Sequence, residues 1–129
     1  GTSKAAVITD IGFYTDDFVE AANGANLLYL ESNHDPAMLL AGKYPYSLKQ
    51  RVLGEKGHLS NDSAAEFAVK LLHPDLKAIM LGHLSKENNY PELAYETMHG
   101  AVCRAWSFEK KEPLILVANR DIPTGPIEF

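Results

Sequence analysis

Apolar residues along this chain fall into two rhythms. Short unbroken runs of strand length, Ala5-Ala6-Val7-Ile8, Leu27-Leu28-Tyr29-Leu30, Ala78-Ile79-Met80-Leu81 and Leu114-Ile115-Leu116-Val117, predict interior strands over residues 4–9, 26–31, 77–82 and 114–118. Between them the spacing changes to that of a helix. Ala64, Ala65, Phe67, Ala68, Leu71 and Leu72 make a one-sided stripe behind Ser60, a good capping residue, and Glu66 with Lys70 adds an i,i+4 pair. Pro91 opens a second long helix with Leu93, Ala94, Thr97, Met98, Ala101, Val102 and Ala105 on one side. Shorter helices are expected after Thr15, with Asp16 and Asp17 in the first turn, and after Asp35-Pro36, closed by Gly42. Tyr44-Pro45-Tyr46 breaks the chain before a further short helix from Ser47 to Leu53. Strands alternating with helices make this an α/β chain with mostly parallel pairing.

The polar residues are placed where such a sheet gathers ligands, just beyond the carboxyl ends of its strands. The first run passes through Thr9 into Asp10, and Gly12 permits a turn. The second ends in Glu31-Ser32-Asn33-His34-Asp35, and the third in Gly82-His83-Leu84-Ser85-Lys86-Glu87-Asn88-Asn89, where Gly82 lets the backbone turn. Asp10 at such a position serves either as an acid flanking a helix or as a metal ligand. His83 and His58, the latter between Gly57 and a capped helix, are either ligands or hydrogen-bonded structural histidines. No HExxH, CxxC, P-loop or GxSxG motif is present.

Composition narrows the picture further. The 129 residues suit one domain able to bury a core, and no apolar run approaches the roughly 20 residues of a membrane helix. The opening Gly1-Thr2-Ser3-Lys4 has no apolar signal segment, and one cysteine, Cys103, suits a reducing compartment; a cytoplasmic location is expected. Cys103 falls in an apolar helical pattern, so a packed thiol is expected rather than a nucleophile. A formal charge of −5 argues against a broadly basic nucleic-acid surface, but leaves room for a local patch from Lys43, Lys49, Arg51, Lys56 and Lys86.

Four segments in order, Ile8-Thr9-Asp10-Ile11-Gly12, Leu30 to Asp35, Gly57-His58-Leu59-Ser60-Asn61 and Gly82 to Asn89, resemble the bacterial metallo-β-lactamase superfamily. The likeness runs from residue 4 to about 105 and is to the carboxyl-terminal half of the WalJ-like (YycJ-like) branch of metal-dependent DNA exonucleases. The resemblance implies half of an αββα four-layer sandwich, with residues 1–129 as its carboxyl-terminal portion. It implies two divalent ions, zinc or manganese, with Asp10 bridging them and His83 holding one. It further implies that His58, backed by Glu31, is a proton donor to the leaving group. Asn33, His34 and Asn89 are expected to orient this shell or touch substrate.

The superfamily's His-x-His-x-Asp-His cluster is absent, since His34, His58, His73, His83 and His99 do not have that spacing. Most ligands are therefore expected outside this chain, on a missing amino-terminal half. The expected activity is phosphodiester hydrolysis on DNA by the complete protein, this chain alone being inactive. The rival readings are a lactam or thioester hydrolase of the same superfamily and a non-enzymatic half-domain. The expected partners are the amino-terminal half or a second copy of the chain, and DNA, with no membrane.

Overall fold

The four apolar runs become strands β1 (Ala5–Ile8), β2 (Leu27–Glu31), β3 (Ala78–Gly82) and β4 (Leu114–Val117) in a computed structural model that describes residues 3–9, 11–53 and 57–118. Among the described residues they form one sheet in the order β1-β2-β3-β4, each neighbouring pair parallel. The helices are α1 (Asp16–Ala22), α2 (Pro36–Ala41), α3 (Tyr46–Leu53), α4 (Asn61–Val69) and α5 (Pro91–Ala105).

Capping sets several of these boundaries. Asp35 Oδ2 accepts from the Met38 amide at 3.0 Å with Pro36 opening α2, and Ser60 Oγ accepts from the Ser63 amide at 3.0 Å to start α4. Thr15 occupies the N-cap position of α1, but its side chain makes no capping bond. The start of α1 instead places Asp16 and Asp17 at the positive end of the helix.

Strands laid down in simple sequence and joined by right-handed crossovers put their connecting helices on one face of the sheet. Helices α1, α4 and α5 supply the core on that face. Leu28, Leu30, Ile79, Leu81 and Ile115 pack against Ala64, Phe67 and Ala68 of α4, Met98 and Val102 of α5, and Ala22 of α1. Phe67 is fully buried, and burying one such side chain contributes roughly 1.5–3 kcal/mol. The alternating residues look the other way, and there Val7 and Leu114 are 67% and 56% exposed, with Tyr29, Met80 and Leu116 half-buried. An all-parallel sheet is ordinarily covered on both faces. This α/β unit, one helical layer on one sheet, is half of the four-layer αββα arrangement.

Two expectations need correction. Cys103 is exposed, with Sγ 3.4 Å from His99 Nε2. The buried line of α5 is Ala94, Met98 and Val102, and Cys103 is turned about 100° past it. Gly82 is the last residue of β3 and does not make the turn; the left-handed backbone falls on His83, with φ 56°. Gly82 matters for space instead, because a Cβ there would collide with the Tyr29 phenol.

Candidate functional site

Parallel register brings the polar strand ends together. Glu31 pairs with Gly82 across β2 and β3, so His83 follows immediately beside the Glu31 carboxylate. Beyond Glu31 the chain stays extended and is gripped on both sides. The Ser32 amide donates to Gly82 O at 3.0 Å, Asn33 N to Leu59 O at 2.9 Å, and Ser85 N to Asn33 O at 2.7 Å. The His34–Ser60 bridge carries this pairing to the start of α4 and places the His58 loop at the same edge.

Glu31 is fully buried, yet its two oxygens are divided between two imidazoles. His58 Nδ1 donates to Oε2 at 2.8 Å and His83 Nδ1 to Oε1 at 2.9 Å. A carboxylate only accepts, so it holds both rings with the proton on Nδ1. Ligation or proton exchange at either ring then has to use Nε2. A buried carboxylate satisfied by two donors avoids the cost that an unpaired buried charge carries. It also fixes the orientation of both rings at once.

Further buried polar groups brace this arrangement. The side-chain amides of Asn61 and Asn89 exchange two hydrogen bonds of 2.9 Å each, Ser32 Oγ donates to Asn61 Oδ1 at 2.6 Å, and Asn89 Nδ2 donates to Ser32 O at 2.9 Å. The residue after Glu31, the start of α4 and the loop beyond His83 are thereby tied into one unit. Asn33 Nδ2 donates to His83 O at 2.8 Å, which supports the left-handed residue and turns Asn33 Oδ1 toward His34 Nδ1, 3.2 Å away. His34 is 1% exposed and lies beneath the site; its Nε2 has no partner among the described residues. Burial, and next repulsion from His58, push the His34 ring down to about 4 against a weaker opposing pull from Asp35, so it is neutral at pH 7.

An open cleft of about 730 Å³ lies over the two histidines, lined also by Tyr29, Asn33, Tyr44, Leu48, Val52, Leu84, Ser85, Lys86, Glu87 and Ala118. Of the residues expected at the site, His58, His83 and Asn33 line the cleft, Glu31 joins the two histidines, and His34 and Asn89 are buried. Asp10 lies outside the described residues. Two features were not anticipated from sequence: the sharing of Glu31 by both rings, and the bracing by Ser32 and Asn61. Each of those two residues adjoins or closely follows a recognised position, Glu31 or His58, which is the signal available for them. Of the residues expected to form a local basic patch, Lys86 lines the cleft, Lys49 Nζ donates to Leu40 O at 2.7 Å, and Lys56 lies outside the described residues.

The donor chemistry bears on metal binding. An imidazole whose Nδ1–H is anchored on a carboxylate is the usual state of a metal-ligating histidine. Among the described residues, however, no group of three or more His, Cys, Asp or Glu could hold an ion. The described residues fit a contribution to a site and do not fill one.

The chain is similar to known proteins in sequence and in fold. Over 99 residues the chain is 42% identical to exodeoxyribonuclease WalJ of Streptococcus pneumoniae serotype 2 (strain D39), a match covering 77% of this chain and 37% of that protein. Over 91 residues it is 44% identical to exodeoxyribonuclease YycJ of Bacillus anthracis, covering 70% and 34%. The chain resembles the WalJ-like branch of the metallo-β-lactamase superfamily. It spans about a third of the length of these curated relatives. A solved diphosphatase of the PhnP family shares the fold, with a TM-score of 0.51 at 20% identity over 98% of this chain and 36% of that one. No protein-family model matches the chain.

Proposed function

We propose that this chain supplies part of the active site of a metal-dependent phosphodiester hydrolase, an exonuclease acting on DNA. The observation that carries the proposal is the buried Glu31 carboxylate holding His58 and His83 side by side in one open cleft. The 42% identity to a protein named an exodeoxyribonuclease supports DNA as the substrate. His83, with Asp10, would contribute to holding two divalent ions, zinc or manganese, whose other ligands come from sequence outside this chain. Such ions, when bound, supply an activated water and neutralise phosphate charge.

The chain's own residues account for the rest. Glu31 keeps the His58 ring oriented with Nδ1–H on the carboxylate, which leaves Nε2 as the atom that would deliver a proton to the departing oxygen. Asn33 holds the His83 backbone. The apolar sheet face around Val7, Met80 and Leu114 is proposed to be covered by the amino-terminal half of the sandwich.

The test uses the intact gene product and His58→Ala. Loss of a positioned general acid should slow DNA hydrolysis by about 10²–10⁴-fold with metal content unchanged. The deficit should shrink sharply on a nitrophenyl phosphodiester, whose leaving group needs no proton. Loss of metal, or equal impairment on both substrates, would overturn the assignment of His58.

A further inference from the structure

We propose that Tyr44 is a stacking platform for the terminal base of the DNA strand, an inference that rests on the phosphodiesterase reading above. Leu48 and Val52, four residues apart on α3, and Tyr44, two residues ahead of that helix, all line the cleft. Together they give the cleft an apolar wall that includes an aromatic ring. The other lining groups include Asn33, Ser85 and Lys86, with Glu87 as an acidic neighbour, and the two histidines. A nucleotide has this same division, a flat apolar base joined to an anionic phosphate. A cleft of about 730 Å³ is in the range that encloses a ligand of that size.

The wall is fixed relative to the chemistry. The His58 amide donates to Val52 O at 3.1 Å, and a Cβ on Gly57 would collide with that same carbonyl, so α3 and the His58 loop touch backbone to backbone. From the middle of α3, Lys49 ties the helix to the last turn of α2 through Leu40 O. A base resting on Tyr44 would therefore hold its own phosphate at a set distance from His58. Stacking accepts every base, because each has a π-face, and this suits an enzyme that removes nucleotides of any identity.

The test is a thermodynamic cycle on the intact gene product. Wild type, Tyr44→Leu and Tyr44→Phe are compared on one single-stranded oligonucleotide with a normal end and on another whose terminal sugar lacks its base. On the normal end, Tyr44→Leu should lower kcat/KM by about 5- to 150-fold, mainly through KM, while Tyr44→Phe keeps most of the activity. Wild type should lose a similar factor when the base is removed, and Tyr44→Leu should then lose much less from the mutation. An equal loss for Tyr44→Leu on both ends would show that the ring only packs α3, and would overturn the proposal. A wild-type protein inactive on both oligonucleotides would overturn the phosphodiesterase reading itself, and this inference with it.

Discussion

Glu31→Gln is the most searching perturbation of this site, because it changes charge and hydrogen-bonding capacity without changing volume. The carboxylate accepts one bond from each imidazole, at 2.8 and 2.9 Å. A glutamine offers one acceptor oxygen and one donor NH2, so only one ring can keep its present bond. The other must turn away or move its proton to Nε2, which removes the lone pair needed for ligation. Each lost bond to a charged acceptor is worth about 1.5–3 kcal/mol, and loss of a carboxylate behind a ligating histidine typically costs 10–100-fold in metal affinity.

If the displaced ring is His83, metal affinity falls by that factor. If it is His58, the proton-transfer step falls by about 10²–10⁴-fold. Because both rings are held by the one carboxylate, both effects are expected together, with kcat/KM down about 10³-fold. The fold itself should survive, since an uncharged amide in a fully buried position carries less desolvation cost than a carboxylate. The assay is kcat/KM on a DNA end across a metal titration, with thermal unfolding as a control. Activity within threefold of wild type at every metal concentration would refute the idea that Glu31 organises both histidines.

Other consequences can be measured as directly. For His34, the native ring titrates at about 4 against an ordinary 6.5, so the unfolded chain binds more protons between those values and stability rises with pH there. Stability should be insensitive to this group above about pH 6.5 and fall by up to about 3 kcal/mol as pH drops to 4. His34→Gln should flatten that part of the urea-denaturation profile, and an unchanged slope would remove His34 as its cause. Gly57→Ala places a Cβ against the Val52 carbonyl, which cannot move without shifting α3, so thermal unfolding should show a loss of about 1–3 kcal/mol; a neutral result would mean that α3 and the His58 loop are not in contact. The isolated chain should self-associate or bind the amino-terminal half through its apolar sheet face, and Val7→Lys should weaken that association in sedimentation. A monodisperse monomer that does not respond to the amino-terminal half would count against it.

The sheet was legible in the sequence because buried parallel strands are unbroken apolar runs, and the four such runs became β1 to β4 within a residue or two at each end. The site was legible for a related reason. Glu31, His58 and His83 are polar residues placed where an apolar strand or a turn ends, and such positions in an α/β sheet converge. What could not be read depends on geometry between distant segments. That a Cβ at residue 82 would strike the Tyr29 ring requires the β2–β3 register. The reciprocal amides of Asn61 and Asn89 require the α4 start and the loop after β3 to meet. Cys103 was misread because Leu93, Ala94, Met98, Ala101, Val102 and Ala105 define a broad apolar face, and only packing shows that its buried line is Ala94, Met98 and Val102.

The central place of β2 explains why one carboxylate serves two rings. In the order β1-β2-β3-β4, β2 is flanked by strands on both sides, and its end is therefore held from both sides. Register with β3 delivers His83 to one oxygen of Glu31, through a residue pair 52 positions apart. The strand then continues past the sheet to pair with residues 59–61, and that extension delivers His58 to the other oxygen. Neither histidine is on a regular element, so neither would be well oriented by its own backbone. The orientation comes from a buried acid on a strand end held from both sides, with Ser32, Asn61 and Asn89 closing the space behind it. Mobility at His58 and His83 is thus limited by the same core that stabilises the sheet, and damage to that core should reach the histidines before the chain unfolds.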